Sequence, residues 1–195
     1  MEENHQQSKS TYKNPLKIVL FGPESTGKTT LASDLATHFN TTWAAEYMRD
    51  YLQKKWNNRQ EPCTPADLIP IAQGQLEAEK KATQNASKVV FCDTNLLQLK
   101  VYSEYYYNGF CPEEIIMQAK TNPYDLYLLL DVDVPWVPDD LRDRPEDREK
   151  LFKLFEKELK QTNKPYIVIS GNYKQRVQKA KNAVDTLLKK AHEVY

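Results

Sequence analysis

The sequence predicts an α/β domain built on a five-stranded parallel sheet with helices on both faces. Three observations predict it. Five short apolar runs alternate with segments of helical periodicity, the pattern of successive right-handed βαβ crossovers. The first run opens into Gly22-Pro23-Glu24-Ser25-Thr26-Gly27-Lys28-Thr29, which reads G-x-x-x-x-G-K-T, the pattern of a phosphate-cradling loop between a strand and a helix. The 195 residues are 40% hydrophobic and 28% charged, the balance of one globular core.

Leu16 to Phe21 is an apolar run typical of a buried strand. After the loop, Leu31, Leu35 and Phe39 recur at helical spacing, and Ala32 and Ala36 widen the stripe. Asn40 can end that helix in the left-handed region. Gly22 and Gly27 let the backbone bend and approach an anion without a Cβ in the way. The N–H groups of Glu24, Ser25, Thr26 and Gly27, with the positive end of the helix carrying Lys28, Thr29 and Thr30, then face a phosphate chain. Lys28 would reach the β- and γ-phosphates of ATP, and the Thr29 hydroxyl would ligate Mg²⁺.

Thr41 to Ala45 is β-prone and predicts a second strand. Glu46 follows its end, where ligands bind in open α/β sheets, and suits a general base or hydroxyl-orienting group. Arg49, one helical turn on, could meet a phosphate or brace Glu46; a surface ion pair is the alternative. Asn57 to Pro62 reads as a loop by composition. Thr64-Pro65-Ala66-Asp67 is a capped helix start, and Pro70 suggests a kink or a second start. Gly74 permits close approach of another group, and Gln75 reads as solvated helix surface.

Val89 to Asp93 is the third strand. An acid ending an apolar strand downstream of the glycine loop looks like a metal-holding aspartate. Asp93 would hold Mg²⁺ or assist at the acceptor hydroxyl; the alternative is a cap for the next helix, with Thr94 and Asn95 as rivals. The helix from Leu96 to Tyr107 carries Tyr102, Tyr105, Tyr106 and Tyr107, rings that sandwich a flat base or simply pack. Asn108-Gly109 breaks the chain and Cys111-Pro112-Glu113 begins a short helix. Tyr124 to Asp131 is the fourth strand. Residues 135–148 are polar, proline-punctuated and rich in both charges, with Arg142, Arg144 and Arg148 among acids that could pair with them. Leu151, Phe152, Leu154, Phe155 and Leu159 mark a helical face. Pro165 to Ser170 is the fifth strand, stopped at Gly171. Asn172 can cap a last helix with the stripe Val177, Ala180, Val184 and Leu187.

Lys+Arg and Asp+Glu are equal at 27 each, which argues against binding nucleic acid or anionic membrane by bulk charge. No apolar run approaches the ~20 residues of a membrane helix. Residues 1–14 are polar, carry no signal-peptide pattern and read as a mobile tail before one domain over 15–195. Cys63, Cys92 and Cys111 lie far apart without zinc spacing and point to reduced thiols in a cytoplasm. His5, His38 and His192 are scattered, against a histidine metal site or a Ser–His–Asp system.

Gly22 to Thr29, Glu46-Tyr47-Met48-Arg49-Asp50-Tyr51, Phe91-Cys92-Asp93-Thr94 and Pro135-Trp136 with Asp140-Leu141-Arg142 occur in this order. Together they resemble the ribosylnicotinamide kinase module of the bacterial NadR family, a branch of the P-loop NTPases, over nearly the whole chain after residue 15. The resemblance implies a P-loop kinase-type three-layer sandwich with strand order 2-3-1-4-5 and a short lid at about 135–148. It implies phosphorylation of the 5′-hydroxyl of nicotinamide riboside with ATP and Mg²⁺, giving nicotinamide mononucleotide for NAD salvage. Carried over, Lys28 and Thr29 hold ATP and Mg²⁺, and Glu46 and Asp93 face the ribose or the metal. Arg142 belongs to the lid, with Arg144 and Arg148 beside it to close over the transferring phosphoryl group. The pyridine ring would stack on Trp43, Tyr47 or a helix tyrosine such as Tyr106, with Arg49 nearby. Full NadR proteins also carry an adenylyltransferase domain and sometimes a DNA-binding one, neither of which fits before a loop at residue 22. Two other readings stay open: another nucleoside or small-molecule kinase, and a nucleotide-gated sensor that needs no acceptor base. A homo-oligomer is left open too.

Overall fold

The computed structural model describes residues 14–142 and 144–193. The tail expected over residues 1–14 falls, apart from Asn14, outside the described residues, as does Asp143 within segment 135–148. Strands β1 (Leu16–Phe21), β2 (Trp43–Ala44), β3 (Val89–Asp93), β4 (Leu126–Leu130) and β5 (Tyr166–Ile169) form one five-stranded sheet in the order β2-β3-β1-β4-β5. Every pairing is parallel, so all strands end on one edge. The order is the expected 2-3-1-4-5. Around the sheet run α1 (Lys28–His38), α2 (Tyr47–Arg59), α3 (Leu68–Asn85), α4 (Leu96–Tyr106), α5 (Glu113–Thr121), α6 (Arg148–Gln161) and α7 (Tyr173–Glu193).

Alternation along β1 builds the three layers. Ile18 and Leu20 pack with Leu31 and Leu35 of α1 and with Ala180 and Val184 of α7. Val19 and Phe21 turn to the other face, against Ile71 of α3, Leu97 of α4, Ile115 of α5 and Phe155 of α6. Phe21 meets Phe155 and Tyr127 edge-on, with centroids 4.8 and 5.3 Å apart, the arrangement that ring quadrupoles favour.

Local chemistry sets most boundaries. Thr64 and Asp67 form a reciprocal capping box, and a short 3₁₀ turn over Pro65–Asp67 leads into α3. Pro70 falls in the first turn of α3, where its missing N–H costs nothing, so a second start is what it marks. Asn40 (φ 47°) and Asn108-Gly109 (φ 52° and 88°) take the left-handed region after α1 and α4. Asn172 Oδ1 accepts from the Gln175 N–H at the start of α7.

Three expectations change. The second strand shrinks from 41–45 to Trp43–Ala44, because the Thr41 and Thr42 hydroxyls bond the carbonyls of Val89 and Ala82 instead of lying along a ladder. Asn57, Asn58 and Arg59 are helical, not loop: Gln53 Nε2 donates to Asn57 Oδ1 at 3.0 Å one turn on, and α2 ends only at Gln60 (φ 54°). Gln75 is buried, not solvated; its Oε1 accepts the Tyr47 N–H at 3.0 Å. Gly74 beside it does admit a close neighbour, since a Cβ there would stand 2.1 Å from the Tyr47 ring.

Glu79, one turn along α3 from Gln75, is buried and accepts from Tyr124 Oη at 2.7 Å. Burial pushes its carboxyl from 4.5 up to about 7, against the pull of that bond and of Gln75. The folded chain therefore keeps a proton that the unfolded chain loses. The stability this contributes is full below pH 4.5 and is lost as pH rises through about 7, a change of about 3 kcal/mol. Urea unfolding of wild type and Glu79→Gln should show it: the wild type loses about 2 to 3 kcal/mol relative to the variant between about pH 5 and pH 8. Parallel profiles would contradict the assignment.

Candidate active site

The site begins where β1 turns into α1. Gly22 takes φ 134°, and a Cβ on it would meet the Leu130 carbonyl at 2.9 Å, so only glycine fits. Gly27 takes φ 84° at the N-cap of α1. Between them the backbone is pinned from outside. Arg148 Nη2 donates to the Ser25 carbonyl at 3.2 Å, and Arg176 Nη1 to the Thr26 carbonyl at 2.8 Å. A trans peptide sets N–H opposite C=O, so the N–H groups of Thr26 and Gly27 point the other way, on the side where both residues line a cleft. Gly22 N–H is taken by Gln98 Oε1 at 3.3 Å. The Lys28 ammonium, nearly buried, donates to the carbonyls of Gly22 (2.9 Å) and Pro23 (2.8 Å).

β3 brings the next group. Leu20 pairs with Asp93, which places this carboxylate level with the loop's start. Asn95, not Asp93, caps α4, accepting from Leu97 and Gln98 N–H. Asp93 is thereby left for Thr29, whose hydroxyl donates to Asp93 Oδ2 at 2.5 Å. Asp93 Oδ1 is buried and has no hydrogen-bond partner, a costly state for a carboxylate oxygen. A hydroxyl and a carboxylate beside a phosphate loop are the donors Mg²⁺ takes, its remaining positions going to phosphate oxygens and water. Thr29 and Asp93 therefore fit that ion. Among the described residues no group of three or more His, Cys, Asp and Glu side chains gathers for a protein-only metal cage.

β2 delivers Glu46 as the residue before α2, and its side chain makes no cap bond with that helix. Glu46 is half-buried by surface, yet it stands within the cleft wall, and desolvation there pushes its carboxyl up to about 7. Lys28 pulls the other way and Asp93 adds to the rise. Burial lowers the Lys28 ammonium, opposed by Glu46, Asp93 and Glu24. It raises Asp93, opposed by Lys28 and the Thr29 bond.

The connector between β4 and α6 lies across the loop. Trp136 Nε1 donates to Glu24 Oε1 at 3.2 Å, and Val137 N–H to Ser25 Oγ at 2.9 Å. Arg49 on α2 pairs with Asp139 at 2.5 Å. Arg142 donates to the Val137 carbonyl at 2.6 Å and pairs with Asp139 at 3.1 Å. Arg148 ties Val134 to Ser25. Arg176, on α7, also holds the carbonyls of Gly171 and Asp131 and pairs with Asp133.

These elements enclose a cleft of about 530 Å³. Glu24, Ser25, Thr26, Gly27, Lys28, Thr29 and Thr30 line it, together with Glu46, Arg49 and Arg142. Tyr102, Tyr106 and Tyr107 line it too, with Leu52 and Trp56. Gly22 and Asp93 are not in the lining, but each bonds a residue that is, Gln98 and Thr29. Five of the residues singled out in the sequence stand elsewhere. Trp43 packs toward the α1 face of the sheet, where strand alternation sends it. Tyr47 lays its ring on Gly74. Arg148 is buried as a backbone tie, and Arg144 sits over the Tyr106 ring at 5.5 Å. Tyr105 likewise turns away, its hydroxyl on Asp147 and its ring under Lys150. Nothing in the sequence marks out Trp56, Gln98 and Arg176. Trp56 lies in a stretch whose composition reads as turning to loop; Gln98 and Arg176 are polar residues in helices, with nothing local to separate them from solvated ones.

Residues 17–176 match the protein family described as AAA domain. The chain belongs to this family. The domain is 33% identical over 154 residues to the trifunctional NAD biosynthesis/regulator protein NadR of Salmonella typhimurium, and 34% identical over 147 residues to that of Escherichia coli. These matches take in 77% and 71% of the domain's chain but only 37% and 35% of the relatives, so it spans about a third of their length. Among solved structures, a NadR protein in complex with NR overlays with a TM-score of 0.74 at 22% identity, over 90% of this chain and 52% of that one. A thymidylate kinase from Ehrlichia chaffeensis overlays at 0.65 with 16% identity, over 88% and 99% of the two chains. The fold is thus that of P-loop kinases.

Arg176 links α7 to the loop through a buried guanidinium, so its removal takes the donor from three carbonyls and the cation from Asp133, which keeps only the Gly171 N–H and its own backbone. Arg176→Met should lose about 3 kcal/mol in urea unfolding. An unchanged midpoint and slope would show that the tie contributes nothing.

Proposed function

We propose that this domain is an ATP-dependent kinase that phosphorylates the 5′-hydroxyl of nicotinamide riboside. The observation that carries the reading is Glu46: a carboxyl held near neutrality inside the same cleft that the phosphate loop lines. A sensor that only binds nucleotide has no need of such a group. Likeness to NadR proteins favours a nicotinamide nucleoside as the acceptor.

In this scheme the loop N–H groups and the start of α1 hold the triphosphate of ATP. Lys28 moves its ammonium from the Gly22 and Pro23 carbonyls to the β- and γ-phosphates. Mg²⁺, held by Thr29 and Asp93, would neutralise phosphate charge. Glu46 accepts the proton of the 5′-hydroxyl as its oxygen bonds the γ-phosphorus and the bond to the β–γ bridging oxygen breaks. ADP leaves and the proton stays on Glu46 until it escapes to water. Arg142 faces the charge that develops on the transferring group. Segment 135–148 acts as the lid that keeps water out. The tyrosines and Trp56 of the cleft wall take the flat ring. The free thiols Cys63, Cys92 and Cys111 suit a reducing cytoplasm. Among the described residues no helix is long and apolar enough to cross a membrane.

The deciding assay supplies ATP and Mg²⁺ with nicotinamide riboside, thymidine, deoxyadenosine or no acceptor. Product from the first alone supports the reading. Turnover of another nucleoside moves the acceptor, and no turnover of any makes the domain a binding module. Glu46→Gln should cut kcat by about 10²- to 10⁴-fold while calorimetry shows ATP still bound. Wild-type kcat/KM for the acceptor should rise with pH through about 7, because the base must be ionised, and this limb should vanish in the variant. Lys28→Ala should lose at least about a hundredfold in rate with an unchanged circular-dichroism spectrum. Loss of that spectrum would assign Lys28 to the core instead.

A further inference from the structure

Glu46 precedes the first residue of α2 and makes no cap bond with it, so something else must fix the chain there. A helix begins with N–H groups that lack partners inside the helix, and an unanchored start frays. The first of these, on Tyr47, goes to Gln75 Oε1 at 3.0 Å. Gln75 comes from a different helix, α3, and is only 3% exposed. Its amide is oriented in turn: Nε2 donates to Glu79 Oε1 at 3.4 Å, and Glu79 Oε2 accepts from Tyr124 Oη at 2.7 Å. The Tyr47 ring lies where a Cβ of Gly74 would stand, within 2.1 to 2.3 Å of three ring atoms. Adjacent residues of α3 thus grip Tyr47 twice, by its N–H and by its ring.

We propose that Gln75, oriented by Glu79, is a positioning residue for Glu46. Its amide caps α2 from α3, and so leaves the Glu46 carboxylate free of capping and aimed at the acceptor. Lys28, Asp93, Arg49 and Arg142 face that carboxylate through charge, but none of them holds the backbone that carries it. The inference rests on the kinase reading for its consequence in rate, though not for the contact itself. Near-attack geometry is steep: a misplacement of about 1 Å costs on the order of a hundredfold.

The test is a double-mutant cycle with a conservative rescue. Gln75→Met, which fills the space and offers no comparable acceptor, should lower kcat about tenfold to a hundredfold with KM for ATP unchanged. Gln75→Glu combined with Glu79→Gln, which exchanges the two side chains so that position 75 still accepts the Tyr47 N–H and position 79 donates to it, should recover most of the loss. In a Glu46→Gln background, Gln75→Met should cost no further rate, because it acts through the group already removed. A full additional loss there, or a loss that the exchanged pair does not rescue, would overturn the proposal. If Gln75→Met does not fold, Gln75→Asn, which draws the acceptor back by one methylene, takes its place in the cycle. Hydrogen exchange at the Tyr47 amide is read in parallel and needs no turnover. Protection in wild type that is lost in the variant supports the anchor, and equal exchange in both overturns it. A wild type with a protected Tyr47 amide but no product from any nucleoside would fail the kinase reading and leave the anchor standing.

Discussion

Everything at this site depends on which way the peptides between Gly22 and Lys28 face. Left to itself a loop of this composition samples many arrangements. Here two arginines from distant helices fix it. Arg148 from the start of α6 and Arg176 from α7 take the Ser25 and Thr26 carbonyls on the outer side. The following N–H groups are thereby committed to the inner side before any anion arrives, which is what preorganisation means for a phosphate site. The constraint links layers: α7 lies on one face of the sheet and α6 on the other, and both reach the same bend. Burying two guanidinium groups is costly, and the carbonyls of Val134, Gly171 and Asp131, with Asp133, offset that cost.

Around that bend the parallel sheet concentrates charge at its carboxyl edge. Lys28, Glu46 and Asp93 come from the ends of β1, β2 and β3 and act on one another in a place where water is scarce. Each is pushed toward its neutral form by burial and pulled back by opposite charge. The balance differs from group to group. Asp93 keeps a hydrogen bond from Thr29, while Glu46 has no such bond and rises to about 7. In the proposed scheme these different surroundings suit Asp93 to a metal and Glu46 to a proton.

The sequence carried the fold well because each of its signals was local. Apolar runs ending in Asp or Gly marked β1 and β3, and Thr64, Asn95 and Asn172 each had the chemistry of a cap. The strand order came from resemblance, and the sheet has that order. What local signals missed was long-range. Gln75 and Arg176 are polar residues in helices, and nothing beside them in the chain separates a buried tie from a solvated face. Asn57 to Arg59 had loop composition, yet one turn-spanning bond from Gln53 was enough to keep them helical. Trp43 and Tyr47 flank the acid as candidate ring partners should. Strand alternation sends the first to the α1 face of the sheet, and the second settles on Gly74. Their place in the cleft wall falls to Trp56 and to Tyr102, Tyr106 and Tyr107, and Trp56 stands ten residues beyond Glu46.

A crystal structure with a non-hydrolysable ATP analogue and Mg²⁺ tests the central claim most directly. The account requires phosphate density against the N–H groups of Thr26 and Gly27, with the Lys28 ammonium drawn off the Gly22 and Pro23 carbonyls onto phosphate oxygen. Nucleotide bound elsewhere, or Lys28 still bonded to its own loop with the analogue present, would contradict it.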